Sequence, residues 1–152
     1  MRENIPEVGV AVGVSAFGGL FGTAAAVRYL RISSPYLRLS LLSRNITSPL
    51  AMAIAAIIGA DSSLAVSFVV ITGVFGANFG ASVLDFFGIK DAVARGLGIG
   101  AAAHGLGTAA FVKEEDAFPF AAISMALTAS AATIICSIPI LKKIILQMAL
   151  GC

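Results

Sequence analysis

Gly96-Leu-Gly-Ile-Gly-Ala-Ala-Ala-His104-Gly-Leu-Gly-Thr108-Ala-Ala110 carries the single histidine of the chain and no other titratable side chain. Residues this small let a neighbouring backbone or a ligand approach closely. An ionisable ring in an apolar, glycine-rich run is costly unless it has a partner or a function. The flanking sequence decides what kind of surroundings it has.

Those surroundings are a membrane. The 152 residues are 59% hydrophobic and only 12% charged, with a mean hydropathy of +0.99. A soluble domain carries about twice that charge. The charges cluster between long uncharged runs, the pattern of an all-α polytopic membrane protein. The net charge of +2 comes with no basic face, so nucleic acid is not an expected partner. Cys136 and Cys152 make no metal pattern, and no cofactor or metal ion is expected.

Five hydrophobic segments are predicted in one domain, 1–152. Residues 8–27, 62–84 and 117–141 are long enough to span a bilayer, whereas 46–60 and 96–112 are short. A signal peptide is disfavoured for the first, because Glu3 and Glu7 stand where a basic leader should be. An apolar tail, 144–150, follows Lys142 and Lys143. If all five segments cross, Arg28, Arg31, Arg38, Arg44, Lys90, Arg95, Lys142 and Lys143 share one side, opposite Arg2 and Lys113. Most acids, Asp61 and Glu114 included, then fall on the arginine-poor side. That split predicts the N-terminus outside and the C-terminus inside. The two halves echo each other weakly: a basic residue, a short run, an acidic turn and a long span occur twice. Paired short, interrupted segments point to a transporter site.

Two constellations could carry chemistry. Arg44-Asn45-Ile46-Thr47-Ser48-Pro49 puts a guanidinium, an amide and two hydroxyls at a helix start, with Ser48 as a possible N-cap. Unpaired N–H groups there attract a carboxylate, and Arg44 could add a forked contact. The plainer reading makes Arg44 a membrane-side anchor and the hydroxyls a mere cap. In the second, His104, Gly105, Gly107 and Thr108 permit non-helical backbone, which membrane depth tolerates only around a cavity or inside protein. His104 could bind an oxyanion and carry a proton, or hydrogen-bond a neighbouring helix and hold the fold. Asn78 is read as an interhelical hydrogen bond, and Asp61 and Glu114 as solvated turn charges. No serine elbow or nearby acid supports catalysis, so no enzyme is expected.

At these motifs the chain resembles the LrgB/CidB membrane family. Arg44–Pro49 answers to that family's Lys-Ser-Val-Thr-Thr-Pro-like box. Gly100–Ala109 answers to its Gly-Thr-Ala-Ser-His-x-Ile-Gly-Thr-Ala box, and Val70–Ala77 to its Thr-Gly-x-x-Gly-Ala run. Gly76-Ala77-Asn78-Phe79, Ala94-Arg95-Gly96 and Cys136-Ser137-Ile138-Pro139 resemble plant plastidal members more than bacterial ones. The family's Lys is Arg44 here, which keeps the charge, and its Ser is Asn45.

The resemblance implies a carrier of small 2-hydroxy monocarboxylates, glycolate and glycerate, coupled to protons or working by exchange. The implied substrate site is Arg44, Asn45, Thr47, Ser48, Asn78, His104, Gly105, Gly107 and Thr108. The implied partners are the small anion, membrane lipid, and a second copy or an LrgA-like half. The location would be the chloroplast inner envelope in a plant and the plasma membrane in a bacterium. The chain would correspond to the C-terminal part of a longer family domain. The rival implication is a holin- or antiholin-like regulator of murein hydrolase export, indifferent to His104.

Overall fold

Three of the expected segments are full-length helices, and the two short ones turn back. The structure, a computed structural model, describes residues 5–151. Arg2, Glu3 and Cys152 lie outside them. Among the described residues there are seven helices and no strand: α1 (Ile5–Tyr29), α2 (Pro35–Ser40), α3 (Ser48–Ile58), α4 (Ser62–Phe86), α5 (Ala92–Ala110), α6 (Phe118–Ser137) and α7 (Pro139–Leu150). Helices α1, α4 and α6 are long and apolar enough to cross a membrane. Residues 24–26, the disfavoured cleavage site, lie in the helical part of α1, with Ala24 fully buried and Ala25 and Ala26 exposed.

The first short segment starts and finishes at one end of the bundle. The Ser40 hydroxyl donates to the Asp61 carbonyl at 3.1 Å, closing residues 40–61 into a hairpin. Its outbound arm is α2 and a 3-10 turn, Leu41–Ser43; its return arm is α3. Pro49 opens α3 as expected, but the N-cap is Thr47 rather than Ser48, and no side chain caps it. Extended backbone at Thr47, ψ 147°, suits a capping position, so the helical geometry begins one residue earlier than the sequence suggested. Gly59, at φ 74°, ends α3 in the left-handed cap that glycine adopts without penalty. Asp61 then caps α4, its carboxylate accepting from the Leu64 N–H at 2.8 Å.

The second short segment behaves the same way at the other end. Helix α5 breaks at His104 (φ 43°, ψ −140°), and the chain returns through 105–113. Arg95, early in α5, forks onto Glu114 past the return arm: Nε to Oε2 and Nη2 to Oε1, both 2.8 Å. Gly107 lies against Ala103 and Ile99, so the two arms touch. The assumption that all five segments cross is therefore wrong for both short ones.

Correcting it moves charges between sides. Arg28, Arg31, Arg38, Lys142 and Lys143 share one end with a single acid, Asp61. Lys90, Arg95 and Lys113 join Glu7, Asp85, Asp91, Glu114, Glu115 and Asp116 at the other. Among the described residues the basic side chains at the two ends now divide five to three rather than eight to two, so the contrast is weaker than the five-crossing count gave, but three crossings preserve its orientation.

The third expected span, 117–141, is shorter than expected. Pro139 disfavours helical backbone at the residue before it, and Ile138 is extended (ψ 117°), so α6 stops at Ser137 and α7 begins. Arg38 donates to the Ala149 and Leu150 carbonyls at 3.3 and 3.2 Å, a cation at the C-terminus of α7. The expected tail is thus a helix docked on the basic end.

Glycine makes the close packing possible. A Cβ at Gly96 or Gly100 of α5 would strike the α6 backbone at Ala117 or Ala121. A Cβ at Gly76 or Gly80 of α4 would strike Ala103 or Ile99. Both pairs have the small-xxx-small spacing that brings membrane helices together. The larger core, around Leu20, Leu42, Ile54 and Ile145, joins α1, the first hairpin, α6 and α7. A smaller one, around Ile99, Phe111 and Ala121, holds the second hairpin.

Candidate substrate site between two hairpin tips

Both hairpins reach the middle of the bundle. The second places His104 against Gly73, near the midpoint of α4, and Gly105 beside Met125, near the midpoint of α6. The first places Asn45 against Gly19, where α1 widens into a π-turn, Gly18–Gly22. Such turns interrupt the regular ladder and recur at functional positions. The tips then meet: Asn45 Nδ2 donates to the Ala101 carbonyl at 3.3 Å, in buried surroundings. The ordinary helical donor to that carbonyl, the Gly105 N–H, lies beyond the break at His104. The broken helix thus offers an acceptor, and the first hairpin supplies the donor.

His104 is 4% exposed, and its Nε2 lies 2.8 Å from the Val69 carbonyl of α4. With that partner a carbonyl, Nε2 carries the proton and Nδ1 is left as an acceptor. The seat exists because Gly73 has no side chain: a Cβ there would stand 2.5 Å from ring Cε1. Positive φ at a residue with a Cβ costs of order 1–3 kcal/mol and persists only where the surroundings impose it.

Arg44 stands at the first tip in different company. It lines an open groove of about 480 Å³ with Thr72 and Gly76 of α4 and Gly98, Ala102 and Ala103 of α5. Both ion pairs among the described residues belong to Arg95. The half-buried Arg44 guanidinium therefore has no carboxylate partner there. An unneutralised cation at this depth is expensive and marks a place for an anion or water.

The sequence-predicted residues are thus partly gathered. Arg44 faces the groove, Asn45 ties the tips, and Thr47 and Ser48 sit half-buried at the start of α3. His104 follows the groove-lining Ala103, but its ring is turned onto Val69 rather than into the groove. Gly107 is used in packing the hairpin arms, and Gly105 has only the Met125 sulfur nearby, at 3.7 Å. The Thr108 hydroxyl is buried without a protein partner among the described residues. Asn78 makes no interhelical bond among the described residues: it is exposed and donates to Val74 O of its own helix at 2.7 Å, because α4 turns that face outward.

Sequence reasoning missed Arg95 and Thr72. Arg95 is 8% exposed and gathers Glu114, Asp85 (2.7 Å) and the Ile89 carbonyl (2.9 Å). Glu114 is therefore a clamp and not a solvated turn charge. The Arg95 hydrogen bonds hold its carboxyl below the usual glutamate range, and Glu114 in turn raises the Arg95 guanidinium above its ordinary value. A signal was present: a cation in the first turn of a helix opposes the dipole and calls for acids nearby. Thr72 carried none.

A model of the LrgB-like family matches residues 1–143. The plastidal glycolate/glycerate translocator 1 of Arabidopsis thaliana is 40% identical over 150 residues, 97% of this chain and 29% of that protein. YwbG of Bacillus subtilis is 30% identical over 130 residues, 85% of this chain and 57% of that protein. The holin-like protein CidB of Staphylococcus epidermidis is 34% identical over 103 residues, 67% of this chain and 44% of that protein. The chain thus spans between 29% and 57% of the length of these relatives. No solved structure matches.

Proposed function

Because the chain belongs to the LrgB-like family of multi-pass membrane proteins, we propose that it carries small 2-hydroxy monocarboxylates of the glycolate and glycerate kind. The observation that carries this is Arg44: a guanidinium without a carboxylate partner among the described residues, reaching from the first hairpin into a groove of mostly apolar and glycine residues along α4 and the second hairpin. Stripping water from a carboxylate costs several kcal/mol, which a forked guanidinium contact offsets. The name of the 40% identical plant relative supplies the substrate class. Thr47, Ser48 and Asn45 sit beside Arg44 at the first tip without lining the groove, and Asn45 is engaged with the Ala101 carbonyl, so they position the tip that carries Arg44.

His104, with Gly105, Gly107 and Thr108, shapes the facing tip. Its free Nδ1 gives a proton-coupled cycle a place for the proton, without requiring it in an exchange cycle. Asn78 belongs to the outer face of α4. A second copy, or an LrgA-like half, would close the groove against lipid. The membrane would be the plastid inner envelope in a plant and the plasma membrane in a bacterium.

Uptake of labelled glycolate into proteoliposomes holding the full chain tests the proposal. Arg44→Gln should abolish uptake at unchanged protein content, and Arg44→Lys should retain part of it. Uptake unchanged in Arg44→Gln would end this reading. Unchanged uptake in His104→Ala would remove His104 from the mechanism. The CidB relative favours a second reading, a holin-like role. It requires large assemblies in solubilised mass measurements and indifference to Arg44→Gln.

A further inference from the structure

We propose that Thr72 is the specificity-determining residue of the Arg44 groove, its hydroxyl pairing with the 2-hydroxyl of the substrate. This rests on the reading of Arg44 as the carboxylate site. Of the twelve residues lining the groove, only Arg44 and Thr72 have polar side chains. The guanidinium is matched to a carboxylate, which leaves one hydroxyl for whatever else the substrate offers.

Thr72 is also free to act. Polar side chains on the exposed faces of these helices turn back onto their own backbone. Ser67 donates to Ser63 O, Asn78 to Val74 O and Ser130 to Ala126 O, each four residues earlier. Thr72 has the same option toward Phe68 and does not use it among the described residues. Its position on α4 sets it one residue before Gly73, whose missing side chain seats the His104 ring. The helix therefore presents the histidine seat and the groove hydroxyl at one level.

One guanidinium and one hydroxyl suit a monoanion with a hydroxyl next to its carboxylate. A second carboxylate would meet only apolar and glycine residues. A site that hydrogen-bonds a substrate hydroxyl discriminates against the analogue lacking it, because its own polar group is left unpaired. Acetate is that analogue of glycolate.

The experiment compares glycolate and acetate uptake by the full chain in proteoliposomes. Thr72→Val, close in shape but without the hydroxyl, should lower the glycolate-to-acetate ratio roughly tenfold, the scale of one hydrogen bond. Thr72→Ser should restore it. A Thr72→Cys variant gives a readout independent of turnover: glycolate should slow its alkylation by a small maleimide, and acetate should do so much less. An unchanged ratio in Thr72→Val, failure of Thr72→Ser to rescue, or equal protection by the two anions would overturn the assignment while leaving Arg44 in place. Uptake insensitive to Arg44→Gln would overturn both.

Discussion

Removing Glu114 should destabilise the protein more than removing Arg95, although the two form one ion pair. The asymmetry lies in their burial. The Arg95 side chain is 10% exposed, that of Glu114 35% and that of Asp85 66%. Glu114→Gln strips the strongest partner from the buried cation and leaves Asp85, which water screens, and the Ile89 carbonyl. Breaking a wholly buried pair this way costs about 3–5 kcal/mol, and the partial exposure of Glu114 brings the figure down to about 2–3 kcal/mol. Arg95→Met removes the buried charge and fills its space with an apolar chain beside Phe111, whose ring lies 5.7 Å from the guanidinium. The two carboxylates left behind can both reach water, so this variant should lose about 1 kcal/mol or less.

Thermal unfolding of the solubilised chain, followed by the loss of its monodisperse elution peak, measures both variants. At about 2–4 °C per kcal/mol for a chain of this size, Glu114→Gln should unfold some 5–10 °C below wild type. Arg95→Met should stay within about 4 °C, and the double variant should resemble Arg95→Met. A larger loss in Arg95→Met than in Glu114→Gln would refute the reasoning. Acidity adds a second axis. The Glu114 carboxyl is held below its ordinary value of 4.5 by the Arg95 hydrogen bonds. The unfolded chain therefore takes up this proton first as pH falls. The clamp's contribution is complete well above pH 4.5 and fades as pH falls through the lowered value. Wild type should lose its advantage over Glu114→Gln across that acidic window and show it undiminished at neutral pH.

Re-entry makes a topological prediction. In a chain lacking Cys152, Lys90→Cys and Glu115→Cys should both be labelled by an impermeant maleimide from one face of the membrane, and Arg31→Cys and Lys143→Cys only from the other. Labelling of positions 90 and 115 from opposite faces would disprove the hairpin. Packing predicts that Gly100→Ala, which drives a methyl into the Ala121 carbonyl, costs about 1–3 kcal/mol as overpacking. Gly13→Ala, with nothing within 4 Å, should be neutral or raise the unfolding temperature slightly through helix propensity.

The sequence carries the helical class, the membrane setting and the two short segments, because each is written in length and apolar content. It does not carry the direction in which the short segments leave. A run of 17 residues such as 96–112 has the composition of a crossing helix and of a hairpin alike. The choice is made by the fork between Arg95 and Glu114 and the bond between Ser40 and Asp61, which join residues 19 and 21 apart. Charge counting mis-sided Lys90, Arg95 and Asp61 for the same reason: each error follows from treating one hairpin as a crossing. At the site, Arg44 was legible as a cation beside a helix start and His104 as a lone ionisable ring. Thr72 was not, because a threonine in an apolar helix has no signature until the groove beside it is seen.

The two hairpins also explain one another. A break in a helix at membrane depth exposes backbone groups that lipid cannot satisfy, so each break needs protein against it. Asn45 donates across the junction to Ala101, and the π-turn of α1 gives Asn45 room at Gly19. Neither tip is complete without the other, and they enter from opposite ends of the bundle. On the carrier reading, a small anion at this junction would have one hairpin between it and each end of the bundle. The basic end is tied by Arg38 to α7 and the acidic end by Arg95 to Glu114. On that same reading, opening toward one side would loosen one clamp while the other stays closed, which a carrier requires and an open pore does not.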